Sequence, residues 1–573
     1  MRSSFRTRIQ IIYALFFLFA TVAFVRLFYL QVLHGDAYRA LADRQYAQPS
    51  GGAYDRGTIL FAEKDGALIS AATLSARYSI TINPSVIVDP PALYEQLSTI
   101  LDLNKDIFLE KATRKNDLYE LVAKGLSQET AERVRVLGVP GVGVFKENVR
   151  TYPAGALAAH VLGFVGLSKD SGPYPIGRYG IEKLFQTLLS RSTSSLSLNF
   201  FAELFGNLKD TVVDGDLEPE GDVVLTIEPT VQAYLERQLA LAREKWGADA
   251  AGGVIIEPKT GKIVGMAALP TFDPNEFGKV TDVAVFSNPL IENVYEMGSI
   301  VKPLTMAAAL DAGVVKLSTT YNDTGSIELD GKKISNFDGK ARGVIPIQEI
   351  LSQSLNVGSV FIEQSLGRSA FRTYFRGYGL GEKTGIDLPN ELAGLIRNLD
   401  STREVELATA SFGQGIAVTP IEIVRALAAL ANGGLLMRPY VVEKVVYKAG
   451  VERVTAPEIQ GRVLKEETTR TISKMLTEVV DLHLAKGKVK MEHYSVAAKT
   501  GTAQMANPKE GGYYSDRYLH SFFGYFPSQN ARFLTFLYIV YPKGVQYSSE
   551  TLTEPFENIT KFLIQYYAVP PDR

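Results

Sequence analysis

Cysteine is absent from the 573 residues, tryptophan occurs once and histidine five times. Without thiols there is no disulfide scaffold, no thiol nucleophile and no cysteine-ligated metal. The histidines are followed by Gly35, Val161, Leu484, Tyr494 and Ser521, so none opens an H-E-x-x-H zinc helix, and no metal is expected. An excess of one charge is missing too: 60 Lys+Arg against 62 Asp+Glu leave a net charge of -2. Neutralising a nucleic-acid backbone calls for a basic surplus, so no nucleic-acid partner is expected. Phosphate-binding loops are also lacking. Lys499 follows Ala497 and Ala498 rather than glycine, and Gly138 to Gly143 does not complete G-x-G-x-x-G. What is present is an ordinary globular composition, 46% apolar and 21% charged. At about 150 residues per domain the length allows roughly four units, or one large α/β domain with a smaller companion.

Long apolar runs are confined to one place. Arg2, Arg6 and Arg8 precede an uncharged stretch from Ile11 to Val25, and Leu27 to Leu30 resume it beyond Arg26. As a helix at about 1.5 Å per residue, Ile9 to Leu30 reaches roughly 33 Å, enough to span a bilayer with Arg26 extended to the interface. A cleaved signal peptide is the competing reading. A cut after Ala23 would leave Phe24 and Val25 apolar, and no A-x-A site closes the run, so an uncleaved anchor is expected. The cationic flank predicts a cytoplasmic N-terminus and an exterior location for everything after about Val32.

From His34 to about Ser190, short β-like runs (Tyr78 to Ile82, Gly141 to Phe145) alternate with helical stretches such as Ser127 to Leu137, which predicts an α+β module. Serines between Ser190 and Ser197 and an acidic stretch from Asp210 to Asp222 read as a seam. Beyond it, Gly221 to Ile227 reads as extended and Thr230 to Trp246 as a helix. Gly252 to Glu257 and Lys262 to Leu269 form a hairpin about the turn Pro258 to Gly261. Helices are expected over Leu304 to Leu310, Pro346 to Leu366 and Glu554 to Tyr567, and a strand over Arg532 to Tyr541. The pattern predicts one antiparallel sheet covered by helices.

One serine has a lysine three residues later, Ser299-Ile300-Val301-Lys302. On a helix those side chains share a face, so the amine can take the hydroxyl proton. Gly298 and Pro303 make a helix start at Ser299 plausible, in the positive field of the helix end. S-x-x-K is accompanied in serine acyl enzymes by S-x-N and K-T-G. S-x-N occurs at Ser197, Ser354 and Ser528, and K-T-G at Lys259, Lys383 and Lys499. Requiring the order S-x-x-K, S-x-N, K-T-G leaves Ser354-Leu355-Asn356. Of the two later triads, Lys383 follows a glycine-rich loop and Lys499 follows the apolar Val496-Ala497-Ala498, which alone reads as strand. An extended edge can lay a peptide alongside, and a glycine in it admits another backbone.

With these motifs the sequence resembles the class B penicillin-binding proteins, membrane-anchored peptidoglycan DD-transpeptidases. The likeness covers nearly the whole chain: Arg56 to Leu60, Arg150-Thr151-Tyr152-Pro153, Gly163 to Gly166 and Gly180-Ile181-Glu182 in the pedestal, then Tyr295-Glu296, Ser411 to Gly415, Val418-Thr419-Pro420 and Lys499 to Gln504 in the catalytic part. K-T-G-T-A-Q and His520-Ser521-Phe522 look more like division-type members than elongation-type ones. Three departures stand out: Met297 where proline is usual, Ala498 where glycine is usual, and Phe61 to Gly66 in place of D-R-N-G. No glycosyltransferase motif of the class A relatives occurs.

The resemblance implies a cytoplasmic tail and anchor over 1–34, an α+β pedestal (dimerisation-type) domain over 35–210, and an α/β transpeptidase domain with a central antiparallel sheet flanked by helices over 211–573. It implies Ser299 as nucleophile, Lys302 as base, and Ser354, Asn356 and Lys499 as the other catalytic groups. Thr500, Gly501 and Thr502 would bind substrate, with the backbone N–H groups of Ser299 and Thr502 as oxyanion hole. The family needs no metal or organic cofactor. Implied partners are peptidoglycan stem peptides, β-lactams, the membrane, a polytopic membrane glycosyltransferase and other division or elongation proteins. The implied place is the bacterial plasma (inner) membrane, with the bulk of the chain outside. A scaffold of weak catalytic power and a lactam-acylated sensor are the alternatives of other classes.

Overall fold

The computed structural model describes residues 54–167, 175–191, 220–448 and 450–573, together with residue 17. The anchor expected over Ile9 to Leu30, and most of the seam, lie outside the described residues; among those described, no helix is long and apolar enough to cross a membrane. Two compact units account for the chain, and neither is one continuous stretch. Among the described residues the first takes 54–55 and 74–149; the second takes 56–73, 150–191 and 220–573.

Strand β1 (Ile59–Ala62) pairs antiparallel with the first residues of the long β2 (Leu68–Ile82), within the second unit. The later half of β2 belongs to the first unit. There follow α1 (Pro90–Ser98), α2 (Lys105–Ala112), β3 (Glu120–Leu126), α3 (Gln128–Val136) and β4 (Val142–Thr151). β2 pairs with both β3 and β4. Each helix starts at a side-chain cap that takes an otherwise unpaired N–H: Asp89 before the two prolines, Asn104 and Ser127. The expected helix over Ser127 to Leu137 thus has its cap and its end at those two residues. Ile80, Ile82, Leu93, Leu97, Phe108 and Val134 form the core of this unit.

In the second unit β5 (Gly221–Leu225) runs parallel to β1, and α4 (Pro229–Lys245) follows. The hairpin β6 (Ala250–Ile256) and β7 (Ile263–Leu269) closes where expected, on a turn in which Gly261 N–H reaches Glu257 O at 2.9 Å. A 3-10 turn over Gly298–Val301 leads into α5 (Lys302–Asp311). The helix expected from Ser299 therefore becomes α-helical only at Lys302. In a 3-10 turn residues i and i+3 eclipse, so Ser299 and Lys302 still lie on one face.

The single helix expected over Pro346 to Leu366 is two, α6 (Gln348–Ser352) and α7 (Asn356–Leu366). The break falls at Ser354, whose φ is +57°. Next come α8 (Pro420–Ala431), β8 (Val442–Tyr447), which pairs with β5, and α9 (Glu466–Glu478). The chain closes with β9 (Ala497–Ala506), β10 (Tyr513–Phe526), β11 (Phe533–Val540) and α10 (Thr553–Tyr566). Strand order β7-β6-β11-β10-β9 makes a five-stranded sheet, antiparallel throughout.

Both faces of this sheet are covered, and the alternation along its strands shows why. Ile255, Phe522 and Phe526 point into a core shared with Leu235 of α4 and Phe556 of α10. Their neighbours Val254, Phe523 and Tyr525 point into the opposite core with Leu304, Ile423 and Ile472. Each buried phenylalanine contributes about 1.5–3 kcal/mol of transfer free energy. Every residue of α8 is buried, and a capping box between Thr419 and Glu422 satisfies its first turn. This arrangement places the 3-10 turn that leads into α5 beside the edge strand β9.

Candidate active site

The nucleophile turn is built by close backbone packing. Gly298 has φ +65°, and a Cβ on it would stand 2.8 Å from Thr502 O. A Cβ on Gly501 would meet Ser521 Oγ at 2.3 Å and Met297 O at 2.7 Å. The glycine of K-T-G thus admits a second backbone, and that backbone is the chain's own turn. Ser521 Oγ donates to Met297 O at 2.7 Å, and Gly298 N–H donates to Gly413 O at 3.0 Å. Thr305 and Ser359 hydroxyls both donate to Ser411 O, at 2.7 and 3.0 Å. The segments singled out around Ser411 to Gly415 and His520 to Phe522 therefore brace the serine turn from two sides.

Two departures flagged in the sequence fit here. Met297 is buried and gives the turn its carbonyl anchor, which any residue supplies. Ala498 is fully buried and lies opposite Gly524 in the β9–β10 ladder, where a Cβ would come within 2.8 Å of its methyl. The missing side chain on one strand makes room for the extra one on the other.

Lys302 and Lys499 are 1% and 3% exposed and converge on Ser354. Lys302 Nζ donates to Ser354 O at 2.6 Å and to Asn356 Oδ1 at 2.8 Å, with Ser354 Oγ at 3.3 Å. Lys499 Nζ reaches Ser354 Oγ and Thr500 O, each at 3.0 Å. Burial, reinforced by the neighbouring Lys499, pushes the Lys302 amine well below its ordinary range. Burial brings Lys499 down to about 7. The two oxygens Ser354 O and Asn356 Oδ1 can only accept, so they take both hydrogens of a neutral Lys302 amine. Its lone pair is then left for a hydroxyl proton.

Half-buried Ser299, together with Ser354, Asn356, Lys499, Thr500 and Thr502, lines a cavity of about 680 Å³. Every residue of the three motifs is thus brought to one place, although 200 positions separate Ser299 from Lys499. Thr502 Oγ1 accepts the Ser548 N–H at 3.1 Å, which leaves its hydrogen free to donate into the cavity. Phe337 and Tyr547, from opposite walls, meet edge to face with ring centroids 6.0 Å apart. His520 stays neutral: burial lowers it to about 4, Nε2 donates to Gln546 O, and Nδ1 accepts from Thr551. Lys259 and Lys383, in the other two K-T-G triads, lie outside this cavity in a turn and a loop.

Sequence reasoning missed Asn336. Its Oδ1 accepts the Val357 N–H at 3.1 Å and its amide donates to Asp323 Oδ1 at 2.8 Å. It thereby holds the first turn of α7 and, through it, Asn356. Asn356 is also tied by its amide to Ser335 O at 2.9 Å. Asn336 lies 20 residues before Asn356 with no local pattern around it, so nothing in the sequence marks it. Gln414, whose buried amide nitrogen has no partner and borders the cavity, was signalled only as part of the Ser411 to Gly415 match.

Comparison with known proteins agrees with this geometry. Residues 251–561 match the penicillin-binding protein transpeptidase domain, and residues 55–199 the penicillin-binding protein dimerisation domain. Stage V sporulation protein D of Bacillus subtilis is 30% identical over 550 residues, covering 94% of this chain and 83% of that protein. The peptidoglycan D,D-transpeptidase FtsI of Escherichia coli is 27% identical over 453 residues, 79% of this chain and 73% of that one. Penicillin-binding protein 2X from Streptococcus thermophilus shares the fold, with a TM-score of 0.73 at 22% identity over 90% of this chain and 80% of that structure. A dimerisation domain ahead of a transpeptidase domain, on a chain aligned with these relatives along most of its length, makes this protein a member of the class B penicillin-binding proteins.

Proposed function

We propose that the chain is a peptidoglycan DD-transpeptidase that cross-links stem peptides through an acyl-enzyme on Ser299 and is covalently trapped by β-lactams. The observation that carries this reading is the meeting of two buried, depressed-pKa amines on one hydroxyl beside a half-buried serine in a single cavity. A serine hydroxyl is a weak nucleophile until a base takes its proton. Ser299 Oγ attacks the carbonyl between the two terminal D-alanines while its proton passes to Lys302. The backbone N–H groups of Ser299 and Thr502 receive the oxyanion, donors typically worth about 3 kcal/mol of barrier each. Collapse breaks the peptide bond, and the departing amine takes a proton relayed by the Ser354 hydroxyl. Lys499, Thr500 and Thr502 bind the terminal carboxylate, and Gly501 keeps that strand close to the serine turn. An acceptor amine then attacks the ester, Ser299 regains its proton, and a cross-link remains.

The remaining expectations belong to the same reading: an anchor within 1–34 in the bacterial plasma membrane, a pedestal over 35–210, a catalytic domain over 211–573, and a polytopic glycosyltransferase supplying strands. The likeness of Lys499 to Gln504 and of His520 to Phe522 to division-type members supports a role at division; a fluorescent fusion followed through the cell cycle tests it, and uniform lateral localisation contradicts it.

The chemical test uses the full-length chain in detergent with a fluorescent penicillin. Wild type is expected to become covalently labelled and Ser299→Ala to stay dark; an unlabelled wild type, or equal labelling of the variant, removes the assignment. Incubation with peptidoglycan strands yields dimeric muropeptides from an enzyme and none from a scaffold.

A further inference from the structure

Between α9 and β9 the chain makes a turn that forms one wall of the cavity and holds an unfavourable conformation. Val479–His483 winds as a π-helical turn. Ala485 and Lys486 follow with φ of 49° and 59°, two consecutive L residues in the left-handed region. There Cβ crowds the following carbonyl, so such a pair persists only where the surroundings impose it. Val479, His483, Leu484 and Ala485 all border the cavity that contains Ser299 and Lys499.

The contacts that fasten this turn come from Asp572 and Arg573. Arg573 donates to both carboxylate oxygens of Asp481, Nη1 to Oδ2 at 2.5 Å and Nη2 to Oδ1 at 2.9 Å. Its Nη2 and Nε also donate to Met491 O, at 2.7 and 3.2 Å. Four of the five guanidinium N–H donors are used, and they bridge the two ends of the stretch that contains the left-handed pair. The side chains of Arg573 and Asp481 are only 24% and 16% exposed, so water competes weakly for the pair. Asp572 continues the fastening towards β9. Its carboxylate accepts the Ser495 N–H at 2.7 Å and the Ser495 hydroxyl, and its own N–H donates to His493 O at 3.1 Å. Ser495 stands four residues before Lys499.

We propose that Asp572 and Arg573 are positioning residues for the reaction: they latch residues 481–495 so that the cavity wall at 479–485 and the start of β9 keep the place the substrate requires. This rests on the reading of Ser299 as the nucleophile. Neither residue borders the cavity, so the latch acts only through the backbone it holds.

The test compares acylation rates of the full-length chain by fluorescent penicillin, normalised to the labelling reached at completion so that each rate refers to folded sites. Arg573→Ala is expected to acylate about tenfold more slowly or worse, because small misplacements in an acyl-transfer site are costly. Arg573→Lys keeps the charge without the fork and should fall between. The pH profile should keep its wild-type shape, since neither amine is touched. If Arg573→Ala does not fold, Asp481→Asn, which keeps one accepting oxygen, carries the same comparison. Folded variants that acylate at the wild-type rate overturn the latch and leave Ser299 untouched; a wild type that is never labelled overturns the Ser299 reading beneath it.

Discussion

Two amines share one hydroxyl in this site, and that sharing sets the pH behaviour expected of it. Lys302 is driven well below its ordinary range by burial first and by Lys499 second. As pH falls, Lys302 gains a proton and loses the lone pair that a general base needs, so acylation declines on the acid side. Removing Lys499 removes the repulsion that helps keep Lys302 neutral. The Lys302 pKa then rises, and the acid limb of the residual rate in Lys499→Ala moves to higher pH. Labelling rates measured from about pH 5 to 9 check this, and an unmoved or lowered midpoint contradicts it. The motif spacing made both lysines legible. Their depressed pKa values were not, because they come from burial by segments far away in sequence. Asn336 was equally hidden, since its contacts with Val357 and Asp323 exist only once the chain is folded.

At the scale of the element, the informative feature is the break between α6 and α7. Residues 346–366 carry a helical apolar pattern in which neither proline nor glycine stands at the break itself, the nearest glycine being Gly358, so periodicity predicts one helix. The structure turns Ser354 into the left-handed region and starts a new helix at Asn356. Tertiary contacts hold that conformation: Lys302 Nζ takes the Ser354 carbonyl, and Ser335 O takes the Asn356 amide. Two substitutions separate backbone from hydroxyl. Ser354→Gly and Ser354→Ala both lose the hydroxyl and should both label slowly. Glycine also relieves the left-handed strain, so Ser354→Gly should be more stable than Ser354→Ala by about 1 kcal/mol. Denaturant unfolding of the pair measures the difference, and a more stable alanine variant contradicts the argument. By contrast the hairpin β6–β7, α4 and α10 were readable within a residue or two, because local periodicity and turn chemistry agree with the packing there.

Across the whole molecule, three sequence signatures converge on a single buried carboxylate. Arg56 Nε and Arg150 Nε each reach a different oxygen of Glu182 at 2.6 Å, and all three side chains are at most 2% exposed. Arg56 also donates to Glu182 O and Gln186 Oε1, Arg150 to Gly57 O, and the Tyr152 hydroxyl to Glu182 Oε1. The same burial and the Glu182 charge keep the Tyr152 hydroxyl protonated, its pKa well above the ordinary value. The segments at 56, 150 and 182, which the sequence marked as pedestal signatures, thus belong to the compact unit that contains the catalytic sheet and are tied to one another there. Pattern alone showed that these residues matter as a set without showing what they do, because a charge network joins positions 126 residues apart. A buried pair contributes little over a hydrophobic replacement, but removing one partner strands the other charge. Glu182→Gln keeps the shape and removes the charge, leaving two buried guanidiniums facing each other. It should cost about 3–5 kcal/mol. Urea unfolding of the full-length chain in detergent reads that loss, while the acylation rate per folded site should stay at the wild-type value, since neither the network nor the backbone it holds at Gly57 and Glu182 borders the cavity. A loss below about 1 kcal/mol would mean that the arginines find other acceptors, and the network would then be a consequence of the fold rather than one of its supports.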